Sequence, residues 1–264
     1  MSSGIEIRAH AGVATLVLNR PEKRNAITFE MWQELGDELV KLAECVDVRV
    51  LVVRGAGEHF CAGADISGLA GGIGGAYGQA NWRAEEALAN FPVPTIAFIR
   101  GNCVGGGVSI ATACDVRICD TTSQFGITPA KLGIVYPTNA LTRLVHIIGP
   151  SNAKRLMFTA ELIESIAAER IGLVDEVHES NALDARLEKL LAQIMEQSQL
   201  TQVATKQMVA EIMAHGLVLE STQAVWEAEV NASGELAQGL EAFASRRAPN
   251  FPWRRPLLTS TIES

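Results

Sequence analysis

The stretch Ile99-Arg-Gly-Asn-Cys-Val-Gly-Gly-Gly-Val-Ser-Ile-Ala-Thr-Ala-Cys-Asp-Val-Arg-Ile-Cys119 decides how the chain folds. An apolar run from Thr95 to Ile99 reads as a strand that meets a turn at Gly101-Asn102. Gly105, Gly106 and Gly107 then open a short apolar helix that ends before Asp115. Glycines at a helix start open backbone angles closed to other residues and leave the first N–H groups bare to a ligand. The partial positive charge at that end favours an oxygen that gains negative charge. Close packing of helix on strand is the plainer reading of the same glycines.

Upstream, Val48–Val53 is nearly all apolar, as a strand buried on both faces requires. It runs into a second glycine segment, Gly55 to Ile66. Each segment leaves a buried strand and presents N–H groups beside small residues. Two such loops face to face make a two-donor site for one oxygen. That arrangement suits an anion that develops during reaction, such as a thioester enolate or a tetrahedral oxyanion.

The rest of the chain supports this pair. Ile5–Arg8 and Val13–Leu18 read as strands around Ala11-Gly12, and Thr28 caps a helix with Met31, Leu35, Leu39 and Leu42 on one face. Six glycines between Gly68 and Gly78 predict a mobile loop, either a lid or a plain connection. A helix follows over Gln79–Asn90, with Glu85 and Glu86 expected on its solvated face, and Pro92 and Pro94 stop it. Strand Asp115–Cys119 comes next. Helices are expected from Asn139 to Ile148, over Ser151–Phe158 and Ser165–Ile171, then near 182–196, 203–215, 219–230 and 235–245. Leu173–Val177 reads as a last strand. The order is a repeated strand–strand–helix front with a helical back.

At 264 residues, 48% apolar and 20% charged, the chain has the make-up of a folded α/β protein. A net charge of −8 argues against nucleic-acid binding, which wants a basic face. Five cysteines without a C-x-x-C pair predict a reducing compartment, no disulfide framework and no metal site. Neither a signal-peptide core nor a membrane-length apolar run is read, so a cytoplasmic protein with no membrane partner is expected.

Gly55–Ile66 and Ile99–Val116 together resemble the crotonase (enoyl-CoA hydratase/isomerase) superfamily, with its F-x-A-G-A-D loop and G-x-x-x-G-G-G helix start. The similarity continues through Phe125–Gly133, Ile148–Lys154, Ala168–Val177 and Phe243–Phe251. It implies an α/β spiral of strand–strand–helix turns over residues 1–200, and a C-terminal helical trimerisation region over 201–264. It also implies assembly as homotrimers or dimers of trimers, an acyl-CoA thioester ligand from fatty-acid metabolism, and no cofactor beyond the coenzyme A of the substrate. By the same resemblance the oxyanion donors are the N–H groups of Ala64 and Gly106. Ala62, Asp65 and Ile66 would line the CoA path, and Arg246 would reach the CoA of a neighbouring subunit.

One departure bears on the reaction. Family hydratases use two glutamates, one to activate water and one to protonate the enolate carbon. Here the matching positions hold Ser109 and Pro129. The run Thr128-Pro129-x-x-Leu-Gly-x-x-Tyr136 resembles the methylmalonyl-CoA decarboxylase branch. Losing CO2 leaves electrons on the α-carbon without a base; Tyr136 could orient the departing carboxylate or protonate the enolate, and Thr128 and Ser109 could hydrogen-bond the same group. Isomerisation with Glu85, Glu86 or Asp65 swinging in, atypical hydration, and acyl-CoA binding without turnover are the alternatives. His59 and His146 are read as surface or packing residues.

Overall fold

The computed structural model describes residues 4–67 and 74–256. Strands β1 (Ile5–His10) and β2 (Val13–Leu18) form an antiparallel hairpin. Helix α1 (Phe29–Glu44) follows Thr28, whose hydroxyl accepts from the Met31 N–H, and it buries Met31, Trp32, Leu35 and Leu39. Next come β3 (Val50–Gly55), α2 (Gly75–Ala89), β4 (Thr95–Ile99), β5 (Asn102–Val104) and α3 (Gly106–Ala113). The third round supplies β6 (Val116–Asp120), β7 (Gln124–Gly126), α4 (Pro129–Leu132) and α5 (Thr138–Thr159). After these lie β8 (Leu162–Glu164), α6 (Ser165–Arg170), β9 (Glu176–His178), α7 (Leu183–Glu196), α8 (Gln199–His215), α9 (Glu220–Ser233) and α10 (Glu235–Ala244).

Six strands make the main sheet in the order β1-β2-β3-β4-β6-β9, parallel from β2 onward. Each turn of the chain then adds a short second segment beside it. Ile27 bridges Ala64, Cys61 bridges Cys103, and β5 pairs with β7. This repeated climb is the crotonase-like spiral expected of the sequence.

The apolar run in β3 is buried on both faces because successive side chains point to opposite sides. Leu51 and Val53 enter the larger core with Ala97 and Ile99, while Val50 and Val52 join Ile96, Phe98 and Ile118 under Leu183 of α7. No helix among the described residues is long and apolar enough to cross a membrane.

Several local expectations change. Residues 68–73 of the glycine-rich loop lie outside the described residues, and α2 begins at Gly75, earlier than Gln79. The two helices read around residue 150 are present as two segments of α5 that meet at a break: Gly149 has φ 74° and ψ 161°, outside the helical region, and Pro150 opens the second segment, so Ser151 is no cap. The boundary expected after residue 200 falls inside α8, which starts behind its Ser198 cap.

Candidate active site

The two glycine segments meet. Phe60 N–H donates to Arg100 O at 2.8 Å, Cys61 N–H to Asn102 O at 2.9 Å, and Val104 N–H to Cys61 O at 2.9 Å. Asn25 ties the first segment down from inside, its amide donating to Ala56 O and His59 O. The approach is so close that a Cβ on Gly107 would sit 2.5 Å from Cys61 O. Gly63 and Gly105 have φ of 101° and 54°, which side chains disfavour.

This packing aims two N–H groups at one place. Ile27 N–H donates to Gly63 O and Asp65 N–H to Ile27 O, so the Ala64 N–H between them points the other way. Gly106 is the first residue of α3 and so has no acceptor within the helix. Neither N–H has a protein acceptor among the described residues. A Cβ on Gly106 would lie 3.7 Å from Ala64 N and 3.2 Å from the Trp32 ring.

Both groups face a cavity of about 340 Å³. Trp32, Ile66, Trp82, Leu132, Ile134 and Val135 give it apolar walls, while Asn81, Ser109, Thr128, Tyr136 and Asn139 bring polar groups. Tyr77 accepts from Trp32 Nε1 at 3.0 Å and also lines an adjoining groove with Arg20, Thr28, Asp65 and Ser67. The two openings together offer a path for a long ligand whose reacting end lies at Ala64 and Gly106.

The residues singled out in the sequence divide between these places. Ala62, Ala64, Ile66, Gly106, Ser109, Thr128 and Tyr136 line the cavity, and Asp65 lines the groove. Asp65 binds Ser67 and the Arg20 guanidinium, and these two hold its carboxyl below the ordinary value. It fixes its loop. Pro129 lines the cavity as the first residue of α4 and presents only ring carbons at the position that the resemblance matches to a hydratase glutamate. Arg246 is exposed beyond α10 and lines neither opening of this chain. His59 accepts the Asn102 N–H and braces the loop, and His146 is exposed on α5.

Tyr136 differs from expectation. It is buried, and its hydroxyl donates to Gly105 O at 3.1 Å. A phenol has one proton to give, so in this geometry Tyr136 holds the Gly105 peptide ahead of the Gly106 donor. Burial and the nearby Glu85 push its own ionisation well above the usual tyrosine value.

Glu85 departs furthest. In place of a solvated face it occupies the interior, its side chain fully shielded. Arg143 Nη2 donates to it at 2.6 Å and Asn81 at 2.8 Å, while Arg143 Nη1 reaches Glu86 at 2.7 Å. Burial raises the Glu85 carboxyl above its ordinary value, against the opposing pull of Ser109, Arg143 and Asn81. Asn81 one helical turn before Glu85 was the available sequence signal; Arg143, Asn139, Trp32 and Tyr77 gave none. Cys61, beneath the loop, is pushed up to about 12 by burial and is no nucleophile at neutral pH.

Comparison with known proteins follows the same lines. The sequence profile of the enoyl-CoA hydratase/isomerase family matches residues 8–254. The chain is 31% identical to the peroxisomal Delta(3,5)-Delta(2,4)-dienoyl-CoA isomerase of Arabidopsis thaliana, over 91% of this chain and 93% of that one. It is 31% identical to the crotonyl-CoA hydratase of Syntrophomonas wolfei, over 90% and 94%. The crystal structure of an enoyl-CoA hydratase/isomerase family member superposes with a TM-score of 0.89 at 32% identity, covering 96% of this chain and 97% of that one.

Proposed function

The chain belongs to the enoyl-CoA hydratase/isomerase family of crotonase enzymes, and from that premise we propose that it decarboxylates a malonyl-type, methylmalonyl-like CoA thioester. The enolate oxygen would lie between the N–H groups of Ala64 and Gly106.

One observation carries this reading. The titratable side chains that line the cavity are Tyr77 and Tyr136; among the described residues no carboxylate or imidazole reaches it. Hydration needs a base for water and an acid for the α-carbon. Decarboxylation needs no base, because the electron pair of the breaking C–C bond is left on the α-carbon and delocalises onto the thioester oxygen. The apolar walls around Ile66, Trp82, Ile134 and Val135 strip water from the substrate carboxylate, and departure as neutral CO2 relieves that desolvation. The Thr128 hydroxyl has no partner among the described residues and can orient the carboxylate.

Double-bond isomerisation, named for the Arabidopsis relative, is the second reading. Isomerisation needs one carboxyl to carry a proton between two carbons, and buried Glu85 lies behind the cavity wall, held by Asn81 of the lining. Assembly as trimers or dimers of trimers and a cytoplasmic setting complete the proposal.

A paired assay tests it: CO2 release from methylmalonyl-CoA and ethylmalonyl-CoA, and loss of the conjugated double bond of crotonyl-CoA. Decarboxylation without hydration is expected. Hydration at a comparable rate would overturn the reading and require an acid–base pair that the cavity lining lacks.

A further inference from the structure

The reaction above leaves one proton without a source. Once CO2 departs, the electron pair lies on the α-carbon and the thioester oxygen, and the carbon needs a hydrogen. The polar hydrogens around the cavity are mostly spent. Tyr136 gives its own to Gly105 O, and Ser109 gives its own to Gly106 O. Asn81 and Asn139 turn their amide nitrogens to Glu85 and Glu86. Thr128 keeps a free hydroxyl, but an aliphatic alcohol is a far weaker acid than a phenol, and it is the phenol that serves as a general acid.

Tyr77 is placed otherwise. Its oxygen accepts from Trp32 Nε1 at 3.0 Å, which leaves the phenol's single proton without an acceptor among the described residues. Phe29 stacks on its ring, with 6.2 Å between the centroids. The edge of Trp32 that carries Nε1 also abuts the oxyanion site, since Cζ2 would lie 3.2 Å from a Cβ on Gly106. One indole thus packs against the Gly106 donor and holds the Tyr77 hydroxyl. Tyr77 lines both the cavity and the groove, so it stands where the two meet and where the thioester would lie. Burial pushes its ionisation above the ordinary tyrosine value, against the pull of the Trp32 bond, so the proton is held at neutral pH.

We infer that Tyr77 is the catalytic acid that protonates the α-carbon of the enolate. The inference rests on the acyl-CoA reading above. The Tyr77 O–H bond breaks as the new C–H bond forms from the pair that departing CO2 left behind. The phenolate oxygen keeps the O–H pair and is met by the Trp32 N–H. Tyr77 lies in the first turn of α2, whose partial positive charge favours that anion. A solvent proton arriving through the groove restores the phenol. A donor fixed on one wall delivers to one face of the enolate, so the product has one configuration.

That configuration is the test. Methylmalonyl-CoA is decarboxylated in D2O, and the early α-deuterated propionyl-CoA is analysed by NMR of a chiral derivative. The unaltered protein should give one configuration. Tyr77→Phe, which keeps the ring and deletes the proton, should release CO2 about 10²-fold more slowly. Its residual product should hold both configurations, because water reaches either face, while propionyl-CoA affinity stays. An unchanged rate and a single configuration in Tyr77→Phe would overturn the assignment, as would a mixed product from the unaltered protein. Absence of CO2 release from the unaltered protein would sink the decarboxylase reading alone. Both proteins are then given propionyl-CoA in D2O, where the same transfer run backward exchanges an α-hydrogen. Exchange lost in Tyr77→Phe would uphold the donor; exchange equal in both proteins, or absent from both, would overturn it.

Discussion

A hydroxyl that donates to a carbonyl is not free to donate elsewhere, and Tyr136 shows how one such bond changes a residue's part. Its bond to Gly105 O fixes the peptide next to the Gly106 donor. Tyr136→Phe is therefore expected to lower stability by about 1 kcal/mol and to reduce turnover by loosening Gly106, with coenzyme A affinity nearly unchanged. Denaturant titration and steady-state kinetics would read both; unaltered kinetics would remove the bond from the mechanism. Thr128→Val keeps the shape and deletes the hydroxyl. If that hydroxyl orients the substrate carboxylate, KM for methylmalonyl-CoA should rise by about tenfold, the equivalent of about 1.4 kcal/mol, while affinity for propionyl-CoA stays. Equal losses for both thioesters would contradict that role.

Between helices, charge decides more than hydrophobic pattern. Arg143 on α5 holds two carboxyls of α2, with its own side chain largely buried. Arg143→Met strands them and is expected to destabilise the fold by roughly 3–5 kcal/mol, as breaking buried pairs does; a change below about 1 kcal/mol would show that water already screens the cluster. Elsewhere Arg186 of α7 holds Glu176 of β9 down to about 2, with His178 assisting. A depressed carboxyl stabilises the fold above the ordinary glutamate value and loses that stability as pH falls toward 2. Glu176→Gln should therefore flatten the fall in stability between about pH 4 and pH 2, seen in urea titrations at each pH. These helices also mark where sequence reading stopped. The apolar stripe Met31, Leu35 and Leu39 located α1, and the all-apolar β3 announced burial on both faces. Glu85 did not announce itself, because a charged pair on a helix reads as solvated until Arg143, 57 and 58 residues away, supplies its partner.

At the scale of the whole molecule, the spiral places consecutive turns side by side, and this brings the loops of Ala64 and Gly106, 42 residues apart in sequence, against each other; the glycine runs marked the two loops, and the resemblance to the crotonase superfamily singled out Ala64 and Gly106 within them. The cavity walls were not legible, since Trp32, Tyr77 and Asn139 reach it from three different helices. The C-terminal helices leave Ile212, Val225, Leu236, Leu240 and Phe243 exposed on a single chain. Sedimentation should accordingly find trimers or hexamers, and a monomer at micromolar concentration would contradict the assembly. The central claim is that a thioester enolate forms between two backbone N–H groups. It is tested most directly by CO2 release from methylmalonyl-CoA in the unaltered protein and in Ala64→Pro, which deletes one donor. The account predicts release by the first and a loss of about 10²–10³ in the second, with coenzyme A still bound. Equal release by both proteins would contradict it.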